Sequence, residues 1–208
     1  MPGPTLGPTP EPEPEPGPEH PDRLRWNARY GGDFAAGFAV HPLAQAALAL
    51  APAGPVLDLA CGPSGAALLA AAAGRPVTAV DVSDVALGLL ADEAARRGRA
   101  DLITLIHADV TAWRPAPGGY ALVLCTGYWD RAAFAAGAGG VTTGGLLAWE
   151  AFTEQARRTR PRLPAQWCLA AGEPAALLPG DFTVLEQRDL PDSPGGARRR
   201  LLARRPDA

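Results

Sequence analysis

Lysine is absent from the chain. All 19 basic residues are arginine, and together with the excess of Ala, Gly and Pro this reads as GC-rich coding bias, a matter of genome style and not of mechanism. Long apolar runs are missing too: the longest, Gly65 to Gly74, has ten residues and is mostly alanine, well short of the roughly 20 that a bilayer-crossing helix needs. The N-terminus has no charged start followed by an apolar core, so no secretory signal is expected. Positive charge is not in excess, the formal net charge being -3, which argues against a dedicated nucleic-acid binder and favours a small-molecule or protein ligand. Cysteine is scarce: Cys61, Cys125 and Cys168 are an odd number without a C-x-x-C pair, which suits a reduced, cytoplasmic protein. The three histidines, His20, His41 and His107, lack metal-ligand spacing, and no metal site is expected.

What the chain does have is unevenly distributed. Residues 1 to 21 carry nine of the 23 prolines, four glutamates and no arginine, while the remaining residues balance 19 basic against 18 acidic groups. Alternating Glu-Pro cannot bury apolar surface and favours extended polyproline backbone. Residues 1–22 are therefore expected to be a disordered tail, and 23–208 a single domain, its size matching one sizeable core. Within that domain RLRWNARYGGDF and FAVHPLAQAALALA suggest an N-terminal helical cap over about 23–52.

After Pro55, short apolar runs alternate with helical patterns. VLDLA (Val56 to Ala60) reads as a strand, GAALLAAAAG as a helix and PVTAVDV (Pro76 to Val82) as a second strand. Ser83 then caps a helix with Asp84 in its first turn, Arg96 and Arg97 in its last, and Gly98 just beyond. DLITLIHADV, YALVLCT and LLAWEAF supply three further strands, and FTVLEQRDL with ARRRLLARR, joined by PDSPGG, must form an antiparallel hairpin. The fold class that follows is α/β: a Rossmann-like, doubly wound, mostly parallel sheet with a C-terminal antiparallel hairpin. The arginine clusters at 198–200 and 204–205 read as a solvated sheet edge.

Strand one ends in Asp58 and opens into Ala60-Cys61-Gly62-Pro63-Ser64-Gly65, small residues that let backbone amides and a helix N-terminus approach a ligand, or that simply make a tight turn. Nineteen residues after Gly62, strand two ends in Asp81, where a doubly wound fold places a carboxylate for ribose hydroxyls; the alternative is a helix cap or a solvated strand end. The pair says far more than either half.

In order, VLDLACGPSG, VTAVDVS, HADVTAW and YALVLCTGYWD resemble the motifs of class I S-adenosylmethionine-dependent methyltransferases. RWNARY and EAFTEQ followed by CLAAGEPAALLPGDF look like the small tellurite-resistance-type members of the general methyltransferase-domain family. The resemblance implies S-adenosyl-L-methionine as cofactor and a small-molecule methyl acceptor, with neither nucleic acid nor membrane as partner. It implies that Asp58 and the loop through Ala60, Gly62 and Ser64 hold the methionine end of the cofactor. Asp81 would bind the ribose and Val82 pack on the adenine. Asp109 would accept the adenine amino group, with the Val110 amide facing a ring nitrogen. Cys125 and Thr126 would lie beneath the sulfonium, and Arg29 and Tyr30 fold over the cofactor carboxylate.

The family loop commonly reads G-x-G-x-G, and here Ala60 and Ser64 replace the outer glycines. Alanine is the milder change, so Ser64 is the expected point of departure, with a loop shifted by one residue onto Gly65 as the remedy. Tyr120-Ala121 also stands where an aspartate is common. Near the expected methyl position are Tyr128, Trp129, Asp130, Glu150 and Phe152, with Trp129 and Phe152 equally readable as core. No catalytic base is identifiable, and that favours an acceptor already electron-rich at neutral pH, such as a thiol or chalcogen nucleophile. Two other readings stand beside this one: a nicotinamide-dependent oxidoreductase, which shares the glycine turn and the acidic residue, and a catalytically silent methyltransferase-like binding protein.

Overall fold

The computed structural model describes residues 15–32, 37–190 and 196–207. Residues 1–14 of the expected tail lie outside them. Its last part does not read as a tail: Pro16 is buried, and helix α1 (Pro21–Tyr30) starts two residues before position 23. Pro21 supplies a fixed φ at the first helical position, where no amide donor is needed. His20 caps the helix, its Nδ1 accepting from the Arg23 amide at 3.5 Å. Helix α2 (Pro42–Leu50) begins the same way, with His41 Nδ1 accepting from the Leu43 amide at 3.2 Å and Pro42 following.

Seven strands then form one sheet in the order β3-β2-β1-β4-β5-β7-β6. They are β1 (Val56–Leu59), β2 (Val77–Asp81), β3 (Ile103–His107), β4 (Tyr120–Thr126), β5 (Val141–Phe152), β6 (Thr183–Asp189) and β7 (Arg198–Arg204). The first five run parallel, and β7 inserts antiparallel between β5 and β6. This is the expected doubly wound sheet with its hairpin. Helices α3 (Gly65–Ala72), α4 (Asp84–Arg96) and α5 (Arg131–Gly140) connect the parallel strands.

Near-continuous apolar strands are what burial on both faces demands. Val56, Leu122, Leu124 and Leu146 face one core together with α2, α3 and α4. Their chain neighbours Leu57, Val123, Leu147 and Trp149 face the other, with α5 and the Trp129–Phe134–Trp149 aromatic group. The arginines of β7 correct the reading of a solvated edge. That strand is internal, so its side chains are half-buried and need partners: Arg199 pairs with Asp189 and Arg200 with the buried Glu150.

Helix α1 alone buries no residue. Polar bonds hold it: Arg23 and Asn27 both donate to Asp84 Oδ1 at 2.8 Å, and Ser83 Oγ donates to Asn27 Oδ1 at 2.6 Å. One face therefore docks on the start of α4. The opposite stripe, Asp22, Arg25, Trp26, Arg29 and Tyr30, follows the i, i+3, i+4, i+7, i+8 pattern of a helix face and looks over the C-terminal ends of the strands.

Candidate active site

Parallel strands of this kind leave a crevice outside their carboxyl ends, where the strand order reverses. The reversal lies between β1 and β4. There the structure has a cleft of about 580 Å³, bounded by the β1 loop at Ala60, the β2 end at Asp81 and Val82, and the segment after β3 at Asp109 and Val110. Thr126, Gly127 and Tyr128 after β4 close it below, and Asp22, Trp26 and Tyr30 of α1 close it above.

Asp58 is 2% exposed within β1 and accepts the Ser64 hydroxyl at 2.5 Å. Burial pushes its carboxyl up to about 7, the Ser64 hydrogen bond opposes that rise, and the neighbouring Asp81 charge adds to it. Ser64 is also the N-cap of α3, accepting from the Ala67 amide at 3.0 Å. Its φ of -82° is ordinary backbone. The strained position is Ala60, at φ 49°, a left-handed conformation that a β-carbon disfavours by roughly 1–2 kcal/mol. The expectation is thus inverted: Ser64 fits by becoming a cap and an Asp58 partner, and the alanine carries the strain. No one-residue shift of the loop onto Gly65 is needed. Gly65 starts the helix, where a β-carbon would meet Phe38 O at 2.4 Å.

Gly62, at φ 55°, donates its amide to Asp81 Oδ2 at 2.7 Å, while Oδ1 accepts from the Ser83 amide at 2.8 Å. Asp81 therefore ties the β1 loop to the start of α4. Each carboxylate oxygen keeps a second lone pair for a ligand hydroxyl. Burial raises its pKa, against the Gly62 and Ser83 amides. Tyr30 Oη lies 3.0 Å from where a Gly62 β-carbon would sit, so this aromatic ring reaches over the loop.

Asp109 accepts from the Thr111 amide at 2.9 Å, and its other oxygen lies 3.3 Å from His20 Nε2. His20 thus caps α1 through Nδ1 and turns Nε2 toward that carboxylate. Cys125 is fully buried in the core beneath the cleft, and Thr126 is the strand-end residue that reaches its surface. Arg29 does not line this cleft. It borders a second cavity of about 1230 Å³, which shares Trp26, Tyr30, Thr126, Gly127 and Tyr128 with the first.

The candidates near the methyl position divide. Tyr128, Trp129 and Phe152 line the second cavity. Asp130 does not, being the N-cap of α5 with its side chain accepting from the Ala133 amide at 2.9 Å. Glu150 is 2% exposed and committed to His41 Nε2 at 3.2 Å, Arg198 at 3.5 Å and Arg200 at 3.1 Å. Burial raises its pKa, and His41 and Arg200 more than offset that, leaving it below the usual glutamate value. Burial holds the Tyr30 phenol up at about 12 and the Tyr128 phenol higher still, so both are hydrogen-bond donors at neutral pH.

Sequence reasoning missed Asp22, Trp26, Arg25, Arg160 and Trp167 as wall residues. The three α1 residues were findable from the helical stripe in DRLRWNARY. The others sit on irregular backbone between β5 and β6.

Residues 56–141 match the family model described as a methyltransferase domain. No curated protein matches the chain by sequence. Among solved structures, one described as the conversion of a disulfide bond into a thioacetal group during echinomycin biosynthesis is 19% identical, with a TM-score of 0.67, covering 89% of this chain and 93% of that one. Geranyl diphosphate C-methyltransferase from Streptomyces coelicolor A3(2), in complex with Mg2+, geranyl diphosphate and S-adenosyl-L-homocysteine, is 15% identical with a TM-score of 0.66, covering 78% and 79%. N-methyltransferase NodS from Bradyrhizobium japonicum WM9 is 18% identical with a TM-score of 0.62, covering 79% and 93%. The fold is that of class I methyltransferases. Within that fold, the match to a methyltransferase domain runs from the first residue of β1 to the first residue of β5.

Proposed function

We propose that this protein transfers the methyl group of S-adenosylmethionine to a small molecule whose nucleophile is already electron-rich at neutral pH, a thiol or chalcogen species. Asp81 supplies lone pairs for the ribose hydroxyls, Val82 and Val110 supply apolar walls for the adenine, and the Gly62 turn admits the methionine end close to the buried Asp58. This donor set suits the cofactor: an acidic strand end, an apolar slot and a turn too tight for a side chain at Gly62. When bound, the sulfonium supplies a methyl whose C–S bond breaks as the acceptor's bond to carbon forms, the electron pair passing to sulfur.

The observation that carries the choice of nucleophile is the second cavity. None of the described residues that line it carries a carboxylate or imidazole, and its tyrosines stay protonated. Positioning then supplies the rate, by holding the acceptor in line within roughly 3–3.5 Å of the methyl carbon. A cationic, partly desolvated wall also favours the anionic form of a thiol. The resemblance to tellurite-resistance-type enzymes agrees with this reading. The test is S-adenosylhomocysteine release across thiols, chalcogen oxyanions, phenols and amines. Turnover of thiols or chalcogen species is expected, and turnover confined to phenols or amines contradicts the soft-nucleophile reading.

A further inference from the structure

The second cavity has a charge that methyl transfer does not require. Arg25, Arg29, Arg160 and Arg198 line it and no acidic residue does, in a chain whose formal net charge is -3. Of the four, only Arg198 has a carboxylate within ion-pair distance among the described residues, the buried Glu150. Three guanidiniums of like charge are thus gathered around one hollow without a counter-ion among the described residues, an arrangement that draws an anion into the space.

Their geometry is that of a clamp. The Arg25 guanidinium carbon lies 4.4 Å from the Trp167 ring centroid, and those of Arg198 and Arg160 lie 4.5 and 4.8 Å from the Phe152 centroid. Stacking on a ring occupies a face of the guanidinium and leaves its N–H edge, the part that forks an oxyanion. Trp129, another wall residue, is fully buried, and its indole N–H has no acceptor among the described residues. Such a buried donor without a partner among the described residues is costly.

We propose that the methyl acceptor is an anion: a small, ring-bearing molecule whose carboxylate, phosphate or sulfate is held by Arg25, Arg160 and Arg198 while its nucleophile points at the shared Thr126–Tyr128 wall. Arg29 is left out, because its guanidinium stands over Trp26 of its own helix, 6.0 Å from the ring centroid. The proposal rests on the methyl-transfer reading, since that wall belongs to both cavities. The aromatic side chains Trp26, Tyr30, Tyr128, Phe152 and Trp167 give the acceptor's ring flat surfaces on which to stack.

Calorimetric titration of the full chain tests it. S-adenosylhomocysteine is titrated first, then phenyl phosphate, benzoate and the uncharged benzyl alcohol, each with and without S-adenosylhomocysteine. Phenyl phosphate or benzoate should bind at least about tenfold more tightly than benzyl alcohol, as hydrogen bonds to charged groups allow, and which anion prevails identifies the oxyanion. Arg25→Gln combined with Arg160→Gln alters two exposed side chains, so the melting temperature should hold while the anion preference falls by about tenfold or more. Equal binding of charged and uncharged rings, or an anion preference untouched by the double substitution, overturns the proposal. So does a single-stranded oligonucleotide binding more tightly than phenyl phosphate. A flat S-adenosylhomocysteine isotherm refutes the methyl-transfer reading by itself, and the anion isotherms still decide the clamp.

Discussion

Replacing Asp58 by Asn should change the pH dependence of stability in a calculable way. In the folded protein burial raises this carboxyl to about 7 from its ordinary value of 3.8. A group whose folded pKa is raised contributes stability that is fully present below the unfolded pKa and is lost as pH rises through the folded one. The span of about 3 pKa units corresponds to about 4 kcal/mol, lost between about pH 4 and pH 7. Most of that loss, about 3 kcal/mol, falls between pH 5 and pH 8. Asn has nearly the shape of the protonated acid and cannot ionise, so Asp58→Asn escapes the loss. Urea unfolding of both proteins at pH 5 and pH 8 reads the difference. The stability of the variant relative to the parent should rise by about 3 kcal/mol over that interval. Saturating S-adenosylhomocysteine should shrink the rise, because its ammonium, placed beside Asp58, stabilises the carboxylate. Parallel pH profiles for the two proteins would refute the placement of an ionisable, desolvated carboxyl beneath the loop.

Asp81→Ala should weaken S-adenosylmethionine binding by about 1.5–3 kcal/mol, the range for hydrogen bonds to a charged group; an unchanged dissociation constant by calorimetry returns Asp81 to joining Gly62 and Ser83. Gly65→Ala should lower stability by about 1–3 kcal/mol, because its β-carbon would stand 2.4 Å from Phe38 O and 2.6 Å from Ala39 O; a melting temperature equal to the parent's contradicts that close approach. Deleting residues 1–14 should leave melting temperature and cofactor affinity nearly unaltered, while deletion through Tyr30 removes Trp26 and Tyr30 from the cleft and should weaken the cofactor. Equal affinities for the two truncations would take the lid out of the account.

The parallel half of the fold was legible because β1, β2 and β4 are buried on both faces, which forces apolar runs that no surface helix needs. Helix α5 was not. Its sequence RAAFAAGAGG contains Gly137, Gly139 and Gly140, which lowers helix propensity, yet a β-carbon at Gly137 would lie 3.1 Å from Leu59 Cδ1, so glycine is there for close helix–sheet packing. In the cleft, Asp81 was legible because a doubly wound fold puts an acidic residue at that strand end, and it stands in the cleft wall. At Ala60 and Ser64 the residue types suggested the opposite distribution of strain, because capping by Ser64 depends on where α3 begins. The lining of the second cavity was illegible, since Arg160 and Trp167 are distant in sequence from Arg198 and from α1, and meet them only after β7 inserts between β5 and β6.

Whether the crevice at the ends of β1, β2 and β4 holds S-adenosylmethionine is tested most directly by a calorimetric titration of the purified protein with S-adenosylmethionine, S-adenosylhomocysteine and NADH in parallel. Saturable one-to-one binding of both S-adenosyl ligands and no heat from NADH is the predicted result. Binding of NADH with no response to either S-adenosyl ligand would contradict the account.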